Sequence, residues 1–203
     1  MRNTASWPAC LKRSCSPLKP QLAGELLRHA VLTGAVAHWV AGDEVHGGAG
    51  LRRLIRSLGM GYVMAVRGNH TVTTSPGTTM TVTAAARLLK PRHWQRMRTG
   101  SGSKGAKDYY WAILQVKPDD SPGDQAGEHD DGHSCLLLRR HRYTGTISYF
   151  RCWSRTGVPL ADLIEVAVRR WRIERTTAAV YDLHDGLCLH SRRRGGLRVR
   201  RLD

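Results

Sequence analysis

The order of apolar and polar positions divides the chain into segments of different period. From Gln21 to Leu32 the apolar residues Leu22, Leu26, Leu27 and Ala30 recur at helical spacing, and Gly34 supplies a stop, which predicts a short helix. The next run, AHWVAGDEV, alternates as a strand does. Ala37, Trp39, Ala41 and Asp43 fall on one face, with His38, Val40 and Gly42 on the other, so Asp43 sits at the carboxyl end of that strand. Gly47, Gly48 and Gly50 then make a turn. LRRLIRSLG reads as a helix with Leu51, Leu54, Ile55 and Leu58 on one stripe, and GYVMAV as a second apolar strand. A strand-helix-strand unit predicts parallel pairing and a right-handed crossover. In such sheets ligands and catalytic groups collect at the carboxyl ends of the strands, where Asp43 lies.

From about Thr71 the pattern changes to Thr, Gly, Ser and basic residues, and residues 71–155 read as a β-rich insertion. A glycine-lysine tract, TGSGSKGAK, reads as a flexible basic loop. It precedes two strand-like stretches, DYYWAILQV and CLLLRRHRYTGTISYFRCW, which are separated by a polar loop over roughly 117–133. YTGTIS predicts a hairpin with Thr144 and Gly145 at its tip. In PLADLIEVAVRRWRIE, the residues Leu160, Leu163, Ile164, Ala167 and Trp171 share one helical arc, and Glu174 falls on it too, whereas Glu165 points to solvent. A carboxylate on a buried stripe is costly to desolvate unless a cation or hydrogen-bond donors meet it.

Composition adds a partner class. The 203 residues include 32 Lys and Arg against 16 Asp and Glu, a formal charge of +16, which attracts polyanions and makes nucleic acid the first partner to consider. An Arg-rich background is the competing explanation of that charge. Residues 1–18 lack periodicity and read as a disordered leader. Residues 181–203, with RRRGGLRVRR near the end, read as a solvated basic tail able to touch phosphate. The cysteines form no CxxC pair and read as reduced thiols. No apolar stretch approaches the ~20 residues a spanning helix needs, and no secretory h-region follows the basic N-terminus, so a cytoplasmic protein without a membrane partner is expected.

Asp43 and Glu174 are the candidate chemistry. An Asp ending a strand and a Glu on the inward face of a later helix are the oxygen ligands that two-ion phosphoryl chemistry uses to hold cations roughly 3.5–4 Å apart. The plainer alternatives are a turn-capping role for Asp43 and an ion pair between Glu174 and Arg170 or Arg175. The SGSKGAK tract lacks Walker spacing. Trp94, Trp111, Trp153, Tyr109 and Tyr110 could stack on bases, but read first as core. His46, close to Asp43, reads as solvent-facing.

The blocks WVAGDEVHGG, LGMGYVMAV, HWQRM with SGSKGAKDYYWA, LLLRRHRYTGTISYFRC and VPLADLIEVAVRRWRIE resemble, in this order, the catalytic region of DDE insertion-sequence transposases of actinobacterial type over about residues 19–175. The resemblance implies an α/β fold: a partial RNase H-like core (19–70, completed by the catalytic-Glu helix over 156–180) interrupted by the β-rich insertion. It implies that Asp43 is the second catalytic and metal-binding Asp and Glu174 the final one. The ions would be Mg2+ or Mn2+, two in the complete family site. Around Glu174 the family carries a Tyr-x-x-Arg-x-x-x-Glu-x6-Lys signature. Arg170 matches and is the implied DNA-phosphate contact, while Ala167 and Tyr181 replace the Tyr and the Lys.

The first catalytic Asp of the family has no counterpart, because the only acidic residue before Asp43 is Glu25, inside a predicted helix. The opening strands of the sheet are missing with it, which predicts an exposed sheet edge. The expected function is that of an incomplete, inactive copy of a DNA transposase. Its partners would be insertion-sequence ends and target DNA, and a homodimer is one possible assembly. The alternative is a non-catalytic basic nucleic-acid-binding protein.

Overall fold

The computed structural model describes residues 19–75, 77–102, 105–119, 132–175, 186–191 and 197–202, with side chains described for 20–75, 77–100, 108–119 and 132–169. Helix α1 (Lys19–Leu32) ends just before Gly34, whose φ is +84°. Strand β1 (Trp39–Gly42), helix α2 (Ala49–Ser57) and strand β2 (Gly61–Val66) follow, and β1 pairs with β2 in parallel as the strand-helix-strand pattern predicts. Gly61 lies opposite Trp39 in this register. A Cβ on it would come within 2.8 Å of the indole ring, so the close approach of ring and backbone requires glycine.

The middle of the chain forms β3 (Thr71–Thr73), β4 (Thr79–Thr81), α3 (Val82–Arg87), a 3-10 turn at Pro91–His93, then β5 (Gln95–Gly102), β6 (Gly105–Gln115), β7 (His133–His141) and β8 (Ile147–Ser154). Strands β5 to β8 form an antiparallel meander, and β8 pairs antiparallel with β2. The β-rich segment therefore extends the first sheet edge to edge. Helix α4 (Leu160–Arg175) and strands β9 (Gly186–Ser191) and β10 (Leu197–Leu202) complete the chain, giving one eight-stranded mixed sheet in the order β10-β9-β1-β2-β8-β7-β6-β5 and a separate β3-β4 pair. The protein is mixed α/β.

Side-chain alternation along the strands assigns the two faces. On one face, α1 and α2 cover Val40, Tyr62 and Met64 with Ala23, Leu27, Leu51 and Ile55. Farther along that face, α3 and β3 bury Val82, Ala85 and Val72 against Ala112, Leu136 and Leu138. On the opposite face Leu163, Ile164 and Ala167 of α4 pack on Val63, Ala65, Leu137, Phe150 and Cys152, as the helical arc predicts, and Glu165 is exposed beside Arg169.

Three sequence expectations meet a different structure. Residues 186–191 and 197–202, read as tail, form β9 and β10; β9 pairs in parallel with β1 and so covers the edge expected to be open. Part of the tract read as a flexible loop is drawn into the β5-β6 hairpin, whose register shifts between Arg98 and Ser101, where Gly100 takes a φ of +127°. The Thr-rich start of the insertion contains α3, whose N-cap Thr81 accepts a hydrogen bond from the Ala84 amide at 3.2 Å. The leader, residues 1–18, lies outside the described residues.

Candidate functional site

Asp43 follows β1 directly, at the carboxyl end of the strand that lies between β2 and β9. Its Oδ1 accepts from the Val45 amide (3.0 Å), the His46 amide (3.3 Å) and His46 Nδ1 (2.7 Å), which ties the turn leading to α2 into a closed loop. His46 is fully buried, a correction to the solvent-facing reading. It buries because the turn folds its ring under the strand end, where Asp43 supplies an acceptor. Its Nε2 meets no hydrogen-bond partner among the described residues. The Oδ1 contacts give Asp43 the turn-capping geometry.

The turn is held from behind. Gly47 fits directly over β2, since a Cβ there would lie 2.5 Å from the Ala65 carbonyl oxygen. The Gly47 carbonyl accepts from Nε of Arg52 at 3.0 Å. Arg52 is 1% exposed, and its two terminal nitrogens donate to both oxygens of Asp119 at 2.6 and 2.9 Å. Arg151, buried in β8, donates to the same carboxylate at 2.6 Å and to the Lys117 carbonyl at 3.2 Å. Burial alone would raise the Asp119 pKa, but hydrogen bonds and charge from Arg52 and Arg151 outweigh it and hold the carboxyl far below the usual range. His70, 3.7 Å from Asp119, is pushed down by burial and then by Arg52, against the opposing pull of Asp119.

This network was missed from the sequence. Arg52 and Arg151 lie 67 and 32 positions from Asp119, so no local spacing connects them. One signal was present: Arg151 interrupts the apolar run YFRCW, and a buried guanidinium needs an anionic partner.

Asp43, Glu44 and Val45 form one wall of a cleft of about 570 Å3. Ala65, Val66 and Phe150 also line it, together with Arg139, Thr146 and Ser148 from the β7-β8 arm. Glu44 is paired with Arg67 at 3.5 Å. Two carboxylates on one wall repel a phosphate, whereas Arg139 attracts one, so the arm side is the side that suits an anionic ligand.

Arg170 and Glu174 lie in the last turns of α4, and their side chains are outside the described residues. The helix itself packs across β1 and β2. Among the described residues no group of three or more His, Cys, Asp or Glu could hold a metal ion. Asp43 Oδ1 meets three donors of its own turn. Of the five aromatics weighed as base-stacking groups, Trp111 and Trp153 are core, while Trp94, Tyr109 and Tyr110 are half-buried. No helix among the described residues is long and apolar enough to cross a membrane.

Comparison with protein-family models and with curated proteins returned no match to this chain.

Proposed function

We propose that this chain is an incomplete DDE-type transposase catalytic region that holds DNA without cleaving it. The observation that carries the reading is the position of Asp43, at the carboxyl end of a strand flanked by two parallel neighbours and facing a cleft whose far wall bears Arg139. The packing of α4 over β1 and β2 supports it as well, because Glu174 belongs to that helix and Asp43 shares the alternation of Trp39, which packs among the α4 side chains. The contacts of Asp43 Oδ1 within its own turn, and the presence of Glu25 as the sole acidic residue among residues 1–42, support DNA retention without strand cleavage. Removing a ligand from a two-ion site leaves the phosphate charge poorly neutralised.

The second reading, a basic protein that grips nucleic acid by charge alone, is favoured by the same surplus of +16. Both readings require DNA affinity that falls linearly on a log-log plot against salt. Fluorescence anisotropy with a labelled duplex over a NaCl series tests this. The expected outcome is a steep negative slope and an affinity unaltered by Asp43→Asn; absence of binding at low salt would remove both readings.

A further inference from the structure

The β7-β8 hairpin arm carries a feature that phosphate attraction alone does not use. Its tip, Arg140-His141-Arg142-Tyr143-Thr144-Gly145, contains two arginines and no acid. Tyr143 is 83% exposed, an uncommon state for a tyrosine ring on an ordered turn. The turn is tightly tied. The Tyr143 and Thr144 amides donate to His141 Nδ1 at 3.3 and 3.2 Å, the Gly145 amide to the His141 carbonyl at 3.0 Å, and the His141 amide to the Thr146 carbonyl at 2.8 Å. Gly145 supplies the left-handed residue the turn requires, with φ of +69°. The backbone that carries Tyr143 is thus fixed, so little backbone freedom is lost when something stacks on its ring.

Cations back the ring. The Arg142 guanidinium lies 5.4 Å from the Tyr143 centroid and 3.6 Å from Asp108, a carboxylate also bound by Arg96. Next along the arm, Arg140 is sandwiched between Trp94 at 4.5 Å and Tyr110 at 5.1 Å. Arginine over aromatic rings beside an exposed ring is the chemistry that grips a single-stranded backbone while stacking its bases. A paired base offers its faces only to its neighbours in the stack, so a ring projecting from a turn needs an unpaired one. The arm also lines the Asp43 cleft through Arg139, Thr146 and Ser148.

We propose that the β7-β8 arm is a reader of unpaired DNA, with Tyr143 stacking on an exposed base and Arg140 and Arg142 contacting the adjoining phosphates. The proposal rests on the DNA-binding reading above and adds the kind of DNA preferred.

The test compares anisotropy isotherms of the full chain on a blunt duplex and on the same duplex with a short single-stranded tail. Tighter binding of the tailed DNA is expected. Tyr143→Ala should cut that preference by about fivefold or more, a stacking contact's typical share, and Tyr143→Phe should keep it. Arg142→Ala should reduce the salt slope by about one ion. Tyr143 is exposed, so unchanged melting temperatures should accompany these losses. Equal binding of both DNAs, or a preference untouched by Tyr143→Ala, overturns the arm proposal while leaving DNA binding in place. Failure to bind either DNA overturns both readings, and tighter binding of an RNA of the same sequence overturns the assignment to DNA.

Discussion

Nδ1 of His46 donates to Oδ1 of Asp43 at 2.7 Å, and the imidazole that does so is fully buried. One oxygen of the strand-end carboxylate is therefore an acceptor within its own turn. Asp43→Ala removes an acceptor that serves two backbone amides and leaves a buried ring nitrogen unpaired. We expect a loss of about 1–2 kcal/mol by urea unfolding. Asp43→Asn retains an oxygen acceptor and should cost less than half of that; equal stability of Asp43→Ala and the parent would contradict the role.

Asp119 neutralises two buried guanidinium groups at once. Asp119→Ala removes the carboxylate that both guanidinium groups meet, for which about 3 kcal/mol is the expected loss, the low end for breaking a buried pair, because the carboxylate is 37% exposed and water screens it. Since Arg52 also holds the Gly47 carbonyl, amide exchange should quicken in residues 43–48 of the variant.

The same residue sets an acid dependence. The folded pKa of Asp119 lies below its unfolded value, so its contribution is whole above pH about 4 and is lost as pH falls through the depressed folded value. His70 acts in a higher window. Burial and then Arg52 lower its pKa, the unfolded chain binds its proton first, and stability declines as pH drops below about 6.5. Urea midpoints measured from pH 8 to 2 should show the upper decline vanish in His70→Gln and the gap between the parent and Asp119→Asn narrow progressively below pH 4.

Cys135 and Cys152 face each other across β7 and β8, both buried and free, and burial pushes the Cys152 thiol well up. A thiol kept protonated and covered reacts slowly. Alkylation followed by peptide mass spectrometry should leave both unlabelled in the folded protein and label them together on unfolding.

Local periodicity was legible where one segment met one face. The 39–66 unit, the Thr144-Gly145 hairpin and the inward arc of Leu163, Ile164 and Ala167 all followed from spacing. The Asp119 network was not legible because its members meet only after β6, β8 and α2 have packed. The burial of His46 had a local cause, a turn closed by the carboxylate of Asp43 three residues earlier. Strand β10 was hidden by composition, since its arginines read as tail although Leu197 and Val199 alternate. Whether Glu174 approaches Asp43 lies outside the described side chains.

The most direct measurement of the central claim is conversion of supercoiled plasmid to nicked circle by the full chain in Mg2+ or Mn2+, at protein concentrations that bind the DNA. We predict no nicking above the protein-free control for either the parent or Asp43→Ala. Nicking by the parent that Asp43→Ala abolishes would contradict the account and show that Asp43 belongs to a complete catalytic site.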